Sequence, residues 1–161
     1  MLTYEQIAAK TITLDKAVEL FDPTFRINKT MVFTNGCFDV LHRGHIYYLS
    51  RARELGDLLV VGLNTDGSVS KLKGPGRPVN DQQARAEVLG ALAFVDYIIL
   101  FSEETPLKLI STLKPDILIK GGDYRKEDIV GYREVSSMGG RVETIPLLEG
   151  YSTSSILDKS E

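Results

Sequence analysis

The chain has 161 residues, 43% apolar and 25% charged, with a formal net charge of −3, the make-up of one soluble globular domain around one core. No basic run stands out, so a nucleic-acid groove is not expected; no apolar stretch approaches the roughly 20 residues that span a bilayer, and Met1 to Lys10 lacks a signal-peptide core. The lone Cys37 excludes an intrachain disulfide, and a cytoplasmic protein is expected.

Residues 1–30 read as a helical extension. Thr3 with Gln6 three residues later fits a capping box, and Leu14, Ala17, Val18 and Phe21 recur at helical spacing until Asp22-Pro23 interrupts them. Residues 31–161 read as one domain. Met31 to Thr34 predicts a buried strand; His45 to Leu55 predicts a helix with Ile46, Leu49, Ala52 and Leu55 on its inner side and Gly56 as the stop. Leu58 to Leu63 is a second strand, Thr65 to Asn80 a loop broken at Gly74-Pro75-Gly76, and Asp81 to Ala93 a helix. Strands at Tyr97 to Phe101, Ile117 to Lys120 and Arg141 to Ile145 enclose helices at Thr105 to Leu113 and Glu127 to Met138. This alternation predicts an α/β fold: a Rossmann-like, doubly wound, five-stranded parallel sheet with helices on both faces. Ligands of such folds bind at the carboxyl ends of the strands, near the topological switch point.

The run Thr34-Asn35-Gly36-Cys37-Phe38-Asp39-Val40-Leu41-His42-Arg43-Gly44-His45 leaves the first strand and enters the first helix. Gly36 allows a close turn. Free N–H groups at the helix N-terminus near Gly44 suit a phosphate, and His42 and His45, the chain's 2 histidines, add donors aimed at the same anion. Zinc ligation by the pair would need a carboxylate to complete the set, since no further Cys or His flanks it; no protein-held metal is expected. Cys37 has no partner base and reads as a small buried residue.

On these residues the chain resembles the nucleotidyltransferase superfamily that carries His-x-Gly-His. The longer string from Asn35 to His45 resembles its sugar- and alcohol-phosphate branch, and Leu72 to Asn80, Lys120 to Tyr124 and Glu149 to Ser154 are similar to the heptose 1-phosphate adenylyltransferase family. The resemblance runs from Met31 to about Lys159. It implies that His42 and His45 bind the nucleotide phosphates and stabilise the transition state, with Thr34, Asn35, Gly36, Phe38, Asp39 and Gly44 around the nucleotide.

Leu63-Asn64-Thr65-Asp66 ends the second strand, placing Asn64 and Asp66 at the cleft's border. Lys71, Lys73 and Arg77 then form a cationic stretch that could close over a triphosphate. The resemblance assigns phosphate contact to Lys73, with Lys71 as the other candidate, and to Arg85 in the next helix. It places Gly122, Asp123 and Tyr124 near the acceptor and nucleotide; the Gly-Gly pair suits close backbone approach. Ser152, Thr153 and Ser154 precede a last helical stretch from Ile156 to Lys159, where they would both cap the helix and hold the β- and γ-phosphates.

The resemblance implies transfer of the adenylyl group of ATP, with Mg²⁺, to D-glycero-β-D-manno-heptose 1-phosphate for lipopolysaccharide core precursors. It further implies a homodimer or higher homo-oligomer and a separate heptose phosphate kinase upstream. Two other readings stand beside it: a cytidylyltransferase acting on glycerol 3-phosphate or another small alcohol phosphate, and a nucleotide-binding regulatory module without catalysis.

Overall fold

A computed structural model describes residues 1–151; Ser152, Thr153, Ser154 and the expected terminal helix lie outside the described residues. The order is α1 (Tyr4–Ala8), α2 (Leu14–Leu20), β1 (Met31–Gly36), α3 (Arg43–Arg53), β2 (Leu58–Asn64), α4 (Asp66–Lys73), α5 (Gln82–Gly90), β3 (Tyr97–Phe101), α6 (Leu107–Leu113), β4 (Ile117–Gly121), a 3-10 turn (Lys126–Asp128), α7 (Tyr132–Ser137) and β5 (Arg141–Ile145). The five strands form one parallel sheet in the order β3-β2-β1-β4-β5, the doubly wound arrangement that the alternation predicts.

Each face of the sheet buries its own apolar layer, as a fully covered parallel sheet requires. On one side Val32, Leu59, Val61 and Ile119 pack with Tyr48, Leu49 and Ala52 of α3 and with Ala86 and Leu89 of α5. On the other, Met31, Phe33, Val60 and Leu118 pack with Leu109, Ile110 and Leu113 of α6, Val135 of α7, and Ala17 and Phe21. The last two come from the N-terminal extension, so α2 is part of this layer. The Thr3–Gln6 capping box forms as expected. Thr11 bridges Ile98 of β3 in parallel, with Ile12 N donating to Ile98 O at 2.9 Å and Ile98 N to Lys10 O at 2.9 Å.

The switch point lies between β1 and β4. β1 pairs with β2 along its whole length, from Met31↔Leu58 to Gly36↔Leu63, whereas its ladder with β4 holds only Val32↔Ile117 and Phe33↔Leu118. Both strands run on, to Gly36 and Gly121, and a crevice opens between them.

Several local expectations are corrected. Within the stretch expected as a loop from Thr65 to Asn80, Asp66–Lys73 is helical, so Lys71 and Lys73 occupy the last turn of α4. The helix expected from Glu127 to Met138 is interrupted at Gly131, whose φ is +93° and where a Cβ would sit 2.6 Å from the Ile110 side chain. α3 begins at Arg43 rather than His45, and its inner side carries Gly44, Tyr48, Leu49 and Ala52, while Ile46 and Leu55 are exposed. Tyr48 takes the inner place because its hydroxyl finds polar partners there, 2.6 Å from Thr34 Oγ1 and 3.3 Å from Ile119 O. Among the described residues no helix is long and apolar enough to cross a membrane.

Candidate active site

The turn out of β1 is compressed. Phe38 adopts φ +43°, uncommon for a residue with a side chain, and its ring folds back so that a Cβ on Gly36 would lie 2.9 Å from it. His42 is the N-cap of α3, with its Nδ1 accepting the Gly44 N–H at 3.1 Å; His45 Nδ1 faces the His42 N–H at 3.4 Å. The two rings stand 3.9 Å apart between centroids. Gly44 is required because the His42 imidazole lies over it: a Cβ would meet His42 Cε1 at 2.9 Å. This is a local physical reason for His-x-Gly-His.

That geometry fixes the protons. With each Nδ1 turned to a backbone donor, the neutral rings carry hydrogen on Nε2. Burial lowers the pKa of His42; burial, helped by the nearby His42 and Lys73 charges, lowers that of His45 to about 4. At neutral pH, His45 is an uncharged N–H donor at a helix N-terminus.

The carboxyl ends of the strands enclose a cleft of about 720 Å³. The sequence-predicted residues that line it are Asn35, Gly36, Phe38, Asp39, His42, Gly44, His45, Asn64, Lys73 and Tyr124. Of the two lysines in the last turn of α4, Lys73 rather than Lys71 is on its wall. Asn64 is buried and donates to Ser68 Oγ at 2.8 Å. Cys37 also lines the cleft, half-buried rather than buried; desolvation pushes its thiol pKa up.

Other predicted residues stand elsewhere. Thr34 is fully buried, its hydroxyl engaged by Tyr48. Gly122 and Asp123 flank the turn after β4, outside the lining residues; Gly122 has φ +109° and faces the Tyr124 ring. Arg85 is 2% exposed. Its Nε donates to Asn80 O at 3.0 Å, Nη1 to Cys37 O at 2.6 Å and Nη2 to Asp66 Oδ1 at 2.7 Å. Arg85 and Asp66 thus tie β1, α4 and α5 together, and the guanidinium is engaged by protein acceptors on all its nitrogens.

Asp39 behaves similarly. Oδ2 accepts from Arg77 Nε at 2.6 Å, and Oδ1 from the Val79 and Asn80 amides at 2.7 and 3.2 Å. Arg77 Nη2 lies 2.6 Å from Oδ2 without hydrogen-bond alignment. Burial alone would raise the Asp39 pKa; Arg77 and the two amides outweigh it and hold the carboxyl below its usual range. Asp39 therefore anchors residues 77–80 against the turn after β1.

Sequence reasoning missed part of the wall: Lys120 at the end of β4, Glu104 and Thr105 after β3, and Leu147, Leu148 and Tyr151 after β5. Arg43 Nη1 donates to the Tyr151 hydroxyl at 3.0 Å, bringing that last segment over the start of α3. Lys120 had a legible signal, a charge directly following three apolar strand residues. Among the described residues no group of three or more His, Cys, Asp or Glu is placed to hold a metal ion.

A doubly wound sheet has paired imidazoles at its first strand-to-helix junction and opens on a lysine-lined cleft at the switch point, the place where such folds take their ligands and where a helix N-terminus suits an anion. The profile of the cytidylyltransferase-like family matches residues 33–159, and the chain belongs to that family. It is 58% identical over 134 residues to the bifunctional protein HldE of Syntrophotalea carbinolica, covering 83% of this chain and 27% of that protein. With the bifunctional protein HldE of Geobacter metallireducens it shares 50% identity over 151 residues, 94% of this chain and 31% of that one. The chain thus spans less than a third of the length of these curated relatives. Among solved structures, a lipopolysaccharide core biosynthesis protein from Thermoplasma volcanium superposes with a TM-score of 0.63 at 29% identity, over 77% of this chain and 99% of that one.

Proposed function

We propose that this domain transfers the adenylyl group of ATP to D-glycero-β-D-manno-heptose 1-phosphate, releasing pyrophosphate and ADP-heptose for lipopolysaccharide core precursors. The observation that carries the chemistry is the His42–His45 pair: two imidazoles oriented by their Nδ1 contacts at the N-terminus of α3, in a cleft that also holds Lys73. The substrates are supported by the similarity to the HldE proteins and to the Thermoplasma protein of lipopolysaccharide core biosynthesis.

A sugar phosphate has a second pKa of about 6, so its attacking oxygen is ionised near neutrality. No general base is required. The oxygen bonds to the α-phosphorus as the bond to the bridging oxygen breaks, and the electron pair leaves on pyrophosphate. Catalysis consists of in-line placement and charge stabilisation. The Nε2–H groups of His42 and His45 donate to the α-phosphate and the bridging oxygen, and Lys73 compensates charge on the departing pyrophosphate. Asn35, Gly36, Phe38, Asn64 and Gly44 surround the nucleotide, with Asp39 and Arg85 holding the walls in position; Ser152, Thr153 and Ser154 are assigned to the terminal phosphates by resemblance. Gly122, Asp123 and Tyr124 belong to the acceptor end.

Magnesium fits this donor set as a companion of ATP. Asp39 is saturated by Arg77 and two amides, leaving Glu104 as the carboxylate of the described wall available to an ion otherwise held by phosphate oxygens. When bound, it would neutralise phosphate charge. The same reading places the protein in the cytoplasm, as a homodimer or larger homo-oligomer, supplied by a heptose phosphate kinase.

The test is pyrophosphate release from ATP or CTP with the β-configured heptose 1-phosphate or glycerol 3-phosphate. Turnover is expected with ATP and the heptose phosphate, and little with CTP and glycerol 3-phosphate, since each polar group left unpaired by the smaller substrate costs about 1–3 kcal/mol. Equal kcat/KM for CTP and ATP would refute the adenylyl assignment. Efficient use of glycerol 3-phosphate would refute the sugar assignment.

A further inference from the structure

Lys120 occupies a place in β4 where the strand's alternation calls for an apolar side chain. Residues two apart in a strand face the same side of a sheet. Leu118 is 1% exposed, packed in the layer formed with α6 and α7. Lys120 points toward that side where the β1–β4 ladder has already ended, after Phe33↔Leu118. There it borders both the main cleft and a side lobe of about 220 Å³, which shares Asn35, Pro106, Tyr124 and Val130 with the cleft and is completed by Asp128 and Ile129. Among the described residues no carboxylate or carbonyl is hydrogen-bonded or ion-paired to its ammonium, and burial lowers its pKa. A partly desolvated cation at a cavity wall is favoured by an anion entering that cavity.

We propose that Lys120 binds the phosphate of the acceptor and seats it in this side lobe, on the attacking side of the α-phosphorus. The proposal rests on the nucleotidyl-transfer reading above and adds to it a specificity-determining residue. Sheet order supplies the geometry. Lys73 ends the helix after β2, the histidine pair opens the helix after β1, and Lys120 is the penultimate residue of β4. With the order β3-β2-β1-β4-β5, the two lysines flank the imidazoles from opposite sides of the switch point. An in-line displacement places its attacking and leaving oxygens on opposite sides of phosphorus. Lys73 lies on one side for pyrophosphate, and Lys120 on the other for the incoming phosphate. Lys120 pairs with the phosphate oxygens that do not attack, so no proton moves. Asp128, which also lines the lobe, is the acceptor for sugar hydroxyls in this proposal.

The experiment is steady-state kinetics with ATP and D-glycero-β-D-manno-heptose 1-phosphate on the full chain, comparing wild type with Lys120→Met and Lys120→Arg. The methionine variant is expected to raise KM for the heptose phosphate about 10- to 100-fold, the loss of one charged hydrogen bond, with KM for ATP changed less than about 2-fold. Arginine is expected to restore most of the acceptor affinity. Lys120→Gln gives the same comparison should the methionine variant not fold. An unchanged acceptor KM, or a rise confined to ATP, overturns the role of Lys120 while leaving nucleotidyl transfer in place. Absence of pyrophosphate release by wild type with any phosphate acceptor overturns the parent reading and this proposal with it.

Discussion

Two clusters of polar side chains adjoin the end of β1, and they direct their charge oppositely. At the start of α3, His42 and His45 use one ring nitrogen each on the backbone and keep the other for the cleft. Beside them, Asp39, Arg77, Asp66 and Arg85 direct their charge at one another and at backbone groups. Both clusters contain the residue types from which phosphate sites are built. The difference teaches that a charged residue in a motif is a ligand contact only if the fold leaves it a free valence. One cluster presents free ring nitrogens to the cleft, the other holds its walls in place.

The largest expected effect separates the two. His42→Ala and His45→Ala should each lower kcat about 100-fold or more, the scale of removing one transition-state donor; the urea midpoint should stay near that of wild type for His45→Ala and fall modestly for His42→Ala, which also removes the α3 cap, a loss of about 1 kcal/mol. In an NMR titration, His45 of the wild type should protonate near pH 4; a midpoint at 6.5 would break the neutral-donor assignment. Near-normal turnover by both folded variants would erase the distinction between the clusters.

Arg85→Met should do the reverse. Removing a buried guanidinium leaves two carbonyls and the Asp66 carboxylate without their partner, a cost of roughly 2–3 kcal/mol because Asp66 retains some contact with water. It should register as a lower urea midpoint at an unchanged m-value. A fully stable Arg85→Met protein with a kcat as low as the histidine variants would place Arg85 in the chemistry instead.

The histidine cluster was legible because its logic is contained in twelve consecutive residues: strand end, turn, cap and glycine lie side by side in the sequence. The walls were not. Arg85 meets Cys37 O across 48 residues and Asp66 across 19, and nothing in the order of residues says which acceptors a guanidinium will find. The strands were readable from short apolar runs, and the sheet from their alternation with helices. Helix α4 escaped notice because Asp-Gly-Ser-Val-Ser-Lys-Leu-Lys buries only Ser68 and Val69, too little for an apolar stripe. Gly131, in contrast, was visible inside a segment read as continuous helix, and its left-handed conformation is what divides that segment.

The smallest effect sharpens the comparison from within the cleft. Cys37 borders the reacting space, yet its thiol pKa is raised and its Sγ lies 3.9 Å from Asn64 Oδ1. A thiol kept protonated is a poor nucleophile. Cys37→Ser should keep kcat/KM within about 3-fold, as expected of a perturbation near 0.5 kcal/mol; a trapped adenylyl-thiol adduct would overturn that view.

The parallel bridge between Thr11 and Ile98 matters for how these molecules behave in a crowd. An unpaired strand margin is a template on which a neighbouring chain can add, the usual beginning of ordered aggregates. Here the segment from Lys10 to Ile12 occupies the β3 margin, and the Lys10 ammonium fastens it by donating to Leu92 O and Val95 O. The stretch preceding the first strand thus guards the sheet's flank, and shortening the protein to the motif-bearing portion would leave Tyr97–Phe101, an almost wholly apolar strand, open to intermolecular pairing.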